Sequence, residues 1–298
     1  MPTPAAAAAS RSRPAILLML AAVAAFSLMD AGLKALSAHY PPLEVAALRS
    51  LSSLPWLLGW ALASGGLRAL RPVRWSLHLL RGALGVLMMA SFVYALRRLP
   101  LSTAYAIFFV APLLITALSV PLLGERVGPR RWTAIAIGLL GVLVVLRPSG
   151  AGMLSLAGLA VLLAAGGYAL SAISVRVLAR TDSTQAITFW VMLLMAAGAG
   201  ALALPGWVAL RGEHVALVLG IGIAGALGQY AITEAFRRGE ASLIAPLEYT
   251  ALAWGVGLDL AVWGVLPDAV TWVGAAIIIA SGLYLLRRER VHAEAEHP

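Results

Sequence analysis

The chain contains no cysteine. That excludes disulfides, Cys-ligated zinc and thiolate-held iron–sulfur clusters, and leaves the compartment undetermined. Charge is scarce too. Asp, Glu, Lys and Arg make up 12% of the 298 residues, against about 25% in a soluble domain. A soluble chain of this length buries a large core but still needs a charged surface, and this one cannot cover itself in water. Lysine occurs once, as Lys34, so the net charge of +9 rests on arginine. These arginines sit in short clusters between apolar runs, not on a water-facing surface, so nucleic acid binding is not expected. There is no P-loop and no His-Glu-x-x-His, and the five histidines are scattered. An ATP motor, a metal or cofactor site and a nucleophile–base pair therefore find no support, and the chain does not read as an enzyme. Gly220-Ile221-Gly222-Ile223-Ala224-Gly225 meets the dinucleotide-binding spacing, but it lies inside an apolar run with no strand before it and reads as helix packing.

Hydrophobic residues, by contrast, make up 61% of the chain and occur in long runs. A bilayer core takes about 20 mostly apolar residues per helix. Segments near 15–37, 44–63, 76–96, 101–122 and 131–147 meet that length in the first half, and segments near 154–178, 184–204, 215–236, 241–265 and 270–287 in the second. The first run follows Arg11 and Arg13 in the manner of a signal peptide, but it continues past Asp30 to about Ala38 and is too long for one. Loops are short and punctuated by Pro, Gly or Arg pairs. The expected fold class is an all-α integral membrane protein of ten transmembrane helices.

A shift of 140 residues superposes the halves. Leu96-Arg97-Arg98 falls on Phe236-Arg237-Arg238, Ser102 on Ser242, Phe109 on Tyr249, Gly124 on Gly264, Trp132 on Trp272 and Arg147 on Arg287. Five helices per half is an odd number, so the second repeat enters the membrane from the opposite side. The organisation expected is a disordered cytoplasmic tail (1–12), two inverted five-helix repeats (13–149 and 150–288) and a second cytoplasmic tail (289–298). Inverted repeats recur in secondary transporters, whose substrate site lies at the repeat interface near the bilayer midplane. With both termini inside, the inner loops hold 15 basic residues and the outer ends hold five (Lys34, Arg97, Arg98, Arg147 and Arg211). That bias predicts cytoplasmic termini.

Ionisable groups at membrane depth are costly and default to functional candidates. Asp30 and Lys34, four apart on one face of the first helix, fit a local ion pair or a substrate or proton site. Glu248 and Tyr249 follow Pro246 in the ninth helix, where a proline break would expose backbone groups; Pro112 breaks the fourth helix. Gln229, Tyr230 and Glu234 share the eighth helix, Tyr168 follows a Gly pair in the sixth, and Phe92, Phe108 and Phe109 place rings mid-membrane. Trp254 lies on the helix of Tyr249. The predicted cavity lining is therefore Asp30, Lys34, Phe92, Phe109, Tyr168, Gln229, Tyr230, Glu248, Tyr249 and Trp254, with Glu234 and His78 as proton or gating candidates. Arg49 and Arg81 read as structural, by snorkelling or by pairing with acids such as Glu44. Most other tryptophans fall near helix ends, as an interfacial belt requires.

Arg81-Gly82, the run Tyr94-Ala95-Leu96-Arg97-Arg98-Leu99-Pro100-Leu101-Ser102-Thr103-Ala104, Pro112, Gly124-Glu125-Arg126, Gly138 and Gly141-Val142 together resemble the drug/metabolite transporter superfamily. More narrowly they resemble its EamA-type ten-helix exporters, and among these the bacterial aromatic amino acid exporters. The second half departs at Gly264-Val265, where the first has Gly-Glu. The resemblance implies a multi-pass protein of the bacterial inner membrane that exports Phe, Tyr, Trp and related compounds through a cavity lined by both halves. It implies no cofactor, and no partner beyond a small-molecule substrate and the lipid bilayer. Oligomeric state and energy source stay open. So do a channel, a flippase for lipids or lipid-linked sugars, and export of other metabolites or cationic drugs by the same fold.

Overall fold

The computed structural model describes residues 4–124, 127–146, 155–238 and 245–296. Among these there is no strand. The α-helices are α1 (Pro4–Ser37), α2 (Pro42–Gly65), α3 (Trp75–Leu96), α4 (Leu101–Phe108), α5 (Ala111–Leu123), α6 (Pro129–Leu146), α7 (Leu156–Leu178), α8 (Thr184–Ala203), α9 (Gly212–Arg238), α10 (Ala251–Leu258) and α11 (Ala269–Glu296). Eight spans, counting α4 and α5 as one, are long and apolar enough to cross a membrane, and α11 adds a shorter apolar stretch, Ala269–Tyr284. Helices α1 and α11 both continue into the segments expected as tails.

The polarity of the bundle is inside out. Leu17, Leu62, Leu140, Leu202 and Val262 face outward, while Glu44, His78, Arg49, Arg81 and Asp259 are buried. Such a surface suits lipid, which solvates leucine and rejects charge. Exposed Trp56, Trp75, Trp132, Trp207 and Trp272 fit the aromatic belt.

Two expected helices are not continuous α-helices. The fourth segment stops at Phe108 and restarts at Ala111, with Pro112 in the first turn of α5. A proline there costs no hydrogen bond, but its ring would collide with the carbonyl four residues back, that of Phe108, so α4 ends at that residue. The ninth segment is a 3-10 stretch (Ala245–Thr250), then α10, then a π turn (Asp259–Trp263). Pro246 is the second residue of the 3-10 stretch. Register partners Ser242 and Glu125 lie outside the described residues, as does Arg147. Gly124 and Gly264, 140 apart, close α5 and the π turn in the same left-handed conformation, with φ of 70° and 66°. Only glycine takes that cap freely, which is why the Gly repeats across the halves even though the following Glu does not.

The strongest packing partners are α1 with α9, α3 with α7, α2 with α8 and α6 with α11. Exchanging the halves maps the first pair onto the second and each of the other two onto itself. Glycines set these close approaches: Gly32 against Ile221, Gly82 against Leu194, and Gly141 against Ile277 and Ile278. Gly222 lies on the Ser52 backbone, so the dinucleotide-like glycine run is a helix-packing surface.

Candidate functional site

Charged and aromatic side chains from both halves meet where α1, α4, α7 and the broken ninth segment converge. Tyr105 of α4 donates a hydrogen bond to Asp30 Oδ2 at 2.8 Å. The Arg49 guanidinium lies in electrostatic reach of Asp30, yet the two form no ion pair. One turn further along α4, Phe108 contacts Phe92 of α3 (centroids 5.6 Å) and Tyr168 of α7 (5.5 Å). The next residue, Phe109, meets Tyr249 edge-on at 5.0 Å. These two are register equivalents, so the repeats touch through matching rings. The Tyr249 hydroxyl is buried with no hydrogen-bond partner and rests against Gly282. Glu248 lies within electrostatic reach of both Tyr168 and Tyr249. Its carboxylate makes no hydrogen bond or ion pair among the described residues.

One turn before Tyr105, at the start of α4, lies a buried polar network. Asp259, fully buried in the π turn, accepts hydrogen bonds from Leu101 N (2.9 Å), Ser102 N (2.8 Å) and Ser102 Oγ (2.7 Å). It therefore caps the free N–H groups at the start of α4. Lys34 adds an ion pair to Asp259 at 3.3 Å, donates to the Leu99 carbonyl at 2.8 Å and lies 4.6 Å from the Trp263 ring centroid. The local Asp30–Lys34 pair that the spacing allowed is thus not formed. Each side chain finds a better partner on another helix.

Two clamps tie loops at opposite ends. At one, Tyr40 pairs with His214 (2.8 Å) and accepts from Arg211 N, while Glu44 accepts from Val208 N (2.9 Å). At the other, Asp182 accepts from Val73 N (2.8 Å) and Thr181 Oγ1 (2.6 Å) and pairs with His78 Nε2 at 3.0 Å. Burial pushes the Asp182 carboxyl up, but the hydrogen bonds from Thr181, His78 and Val73 outweigh it and hold the group at about 2. A carboxyl held below its ordinary 3.8 stabilises the fold above about pH 4 and loses that contribution as pH falls toward about 2. Asp182→Asn is therefore expected to lower the melting temperature of the detergent-purified protein at pH 7. The gap to wild type should narrow between pH 4 and 2. A gap that stays constant over that window would show that the clamp does not depend on this charge.

The other candidates scatter. His78 belongs to the clamp, and Glu234 is paired with Arg238 on α9 at 2.9 Å. Tyr230 lines a groove of about 210 Å³ with Trp56 and Trp60 on the side of the bundle, between α2 and α9. Gln229 is half-buried and bonds Thr233 of its own helix. Trp254 is largely exposed on α10. A groove of about 500 Å³ is lined by Pro41, Ala90, Tyr94, Ala160, Leu202 and neighbours, none of them charged. Arg49 and Arg81 do not pair with Glu44. Arg81 donates to the Ile187 carbonyl at 2.9 Å, and Arg49 points its Nε and Nη1 at the sulfurs of Met29 and Met192. Among the described residues no cluster of His, Asp and Glu could hold a metal. Asp259 escaped the sequence reading because it lies near a helix end, in a segment read as an ordinary span. Its signal was only that of any carboxylate in an apolar run.

Comparison with known proteins adds an independent finding. The profile of the EamA-like transporter family matches twice, at residues 13–147 and 155–287. A pseudopaline exporter of Pseudomonas aeruginosa is 27% identical, with 92% of this chain and 96% of the relative covered. A riboflavin transporter of Vibrio cholerae is 30% identical, covering 93% and 94%. An S-adenosylmethionine uptake transporter of Rickettsia prowazekii is 27% identical, covering 91% and 92%. A crystal structure at 23% identity covers 91% of this chain and 96% of its own with a TM-score of 0.64, which speaks to fold alone. These relatives carry other cargoes than aromatic amino acids, and their names include both export and uptake.

Proposed function

Since the chain belongs to the EamA-like transporter family, and is thus a multi-pass membrane transporter of small metabolites rather than an enzyme, we propose that it exports aromatic amino acids and related solutes by alternating access. Glu248 carries this reading. An ionised carboxylate at membrane depth is costly unless a cation or a proton meets it, and Glu248 has no partner among the described residues. A static structural role leaves that cost uncompensated; a group that binds and releases a proton in each cycle does not. The rings around it, Phe92, Phe108, Phe109, Tyr168 and Tyr249, offer edge and face contacts to an aromatic cargo.

The wider architecture belongs to the same proposal: ten transmembrane helices, as two inverted repeats meeting at the Phe109–Tyr249 contact, with both termini cytoplasmic in a bacterial inner membrane. The doubled family match, the paired left-handed Gly124 and Gly264 caps and the exchange-symmetric helix pairing support it. In this orientation the Lys34–Asp259 latch closes the outer mouth. The lining reduces to Asp30, Phe92, Phe109, Tyr168, Glu248 and Tyr249. Lys34 serves the latch.

Counterflow in proteoliposomes tests the function. Vesicles loaded with unlabelled phenylalanine or tryptophan and diluted into radiolabelled amino acid are expected to accumulate label transiently and saturably, whereas empty vesicles do not. Absence of counterflow with either amino acid rejects this cargo. Linear, non-saturating flux would indicate a channel.

A further inference from the structure

Two opposite charges, Asp30 on α1 and Arg49 on α2, lie within electrostatic reach of each other with no ion pair between them, and Arg49 Nε approaches Met29, the residue before Asp30, at 3.4 Å. Each is only partly used. Among the described residues Asp30 accepts one hydrogen bond, from Tyr105 to Oδ2, and Oδ1 has no donor. Arg49 is 9% exposed. Its Nε and Nη1 face two thioether sulfurs at 3.4 and 3.6 Å, weak acceptors both, and Nη2 has no partner among the described residues. Nη2 is nevertheless not sealed in by protein atoms. It therefore still touches open space.

A guanidinium offers five donors in a planar fork made for carboxylates. Burying it against sulfur instead is costly, because charge-assisted bonds to oxygen are the strong ones. Had the pair a purely structural role, closing the gap into a direct salt bridge would offset part of the desolvation. The gap remains. A simple anion placed there would be repelled by Asp30, and a simple cation by Arg49. A zwitterion bearing both charges on adjacent atoms satisfies each group and brings no net charge into the membrane. The aromatic lining continues from this point. Tyr105, Phe108 and Phe109 succeed one another at i, i+3 and i+4 on α4, so the rings begin about one helical turn, roughly 5 Å, beyond the Asp30 contact. That is the reach of a benzyl or indolyl side chain from its α-carbon.

We infer that Asp30 and Arg49 form the head-group subsite of the transport cavity and take an α-amino acid, its ammonium on Asp30 and its carboxylate on the Arg49 fork. The inference rests on the transport reading above and names the residues that select its substrate class.

Three probes sharing one ring separate the parts: L-phenylalanine (both charges), phenethylamine (ammonium only) and 3-phenylpropionate (carboxylate only). Binding of each to the purified full chain is measured by calorimetry for wild type, Arg49→Gln and Asp30→Asn. Arg49→Gln is expected to weaken L-phenylalanine and 3-phenylpropionate by about 10- to 100-fold, the range for a lost hydrogen bond to a charged group, and to leave phenethylamine within about twofold. Asp30→Asn is expected to do the reverse, weakening the two ammonium probes and sparing 3-phenylpropionate. Should Arg49→Gln not fold, Arg49→Lys keeps the charge without the fork and should give a smaller loss confined to the carboxylate probes. Equal weakening of all three probes by either variant, rescue of binding in the Asp30→Asn/Arg49→Gln double variant, or failure of both carboxylate probes to bind wild type would each overturn the subsite. Failure of the transport reading looks different. Counterflow of phenylalanine and tryptophan would be absent while 3-phenylpropionate still bound through Arg49.

Discussion

Asp259→Asn is expected to open the outer mouth of the protein while leaving it folded. The native carboxylate receives four donors: two backbone N–H groups, one hydroxyl and the Lys34 ammonium. An asparagine of the same shape offers one acceptor oxygen and turns an NH2 toward donors. It also deprives Lys34, whose side chain is 14% exposed, of its counter-charge, leaving the Leu99 carbonyl and the Trp263 ring among the described residues. Removing one member of a buried pair costs about 3–5 kcal/mol. That cost falls only on the state in which the latch is closed. A differential of about 3 kcal/mol shifts a two-state equilibrium by roughly 100-fold toward the open form. The chain has no cysteine, so a single reporter can be installed without background. Ala106→Cys, on α4 and fully buried, should react with a membrane-impermeant maleimide from outside at least about tenfold faster in the Asp259→Asn background. Unchanged labelling would mean that the Asp259 network is a static cap on α4 and not a gate. The repeat register makes the latch one-sided. The position 140 residues before Asp259 is Ser119, which bonds only the Thr116 carbonyl of its own helix. An Asp259→Ser variant, matching the first half, should therefore behave like the asparagine.

The second large effect is expected at Glu248. With its carboxylate neutralised permanently, Glu248→Gln keeps the shape of the site and removes the group proposed to take up a proton. Export driven by an imposed proton gradient should fall by roughly tenfold or more, because the loaded and empty carriers no longer differ in charge at this point. Counterflow, which needs no net proton movement, should persist near wild-type rates. The contrast between the two assays is the diagnostic. Loss of both would place Glu248 in contact with cargo, and survival of both would remove it from the mechanism. Phenylalanine binding to Glu248→Gln should stay within about twofold of wild type, since Asp30 and Arg49 are untouched.

These effects turn on residues of unequal legibility. Asp30, Glu248 and Tyr249 could be singled out from the sequence because an acid or a polar ring in an apolar run is expensive wherever it lies, so rarity alone marks it. The register made Phe109 and Tyr249 equivalent, but that these two equivalents touch was decided by the packing of the two halves. Arg49 reads as structural in the sequence, by snorkelling or by pairing with an acid such as Glu44, and the Glu44 pair is not formed: Glu44 accepts from Val208 N. What marks Arg49 for the proposed subsite is its placement against two thioether sulfurs, which only the tertiary structure shows. The local Asp30–Lys34 pair was a sound use of helix spacing, and it failed because Lys34 reaches a helix start already held by a buried acid.

By itself the sequence determined the solvent of this protein, its helical class and its doubling. Apolar runs of about 20 residues have one stable place, a bilayer, and there only closed backbone hydrogen bonding is tolerated. Glycine at 124 and 264 marked matching helix ends because no other residue takes that turn freely. Tertiary structure alone decided which charges meet. Lys34 and Asp259 are 225 residues apart, and Tyr105 and Asp30 are 75 apart. Periodicity constrains neighbours within one helix, whereas partners on different helices are chosen by packing, burial and the free donors at helix starts, none of which a linear pattern records.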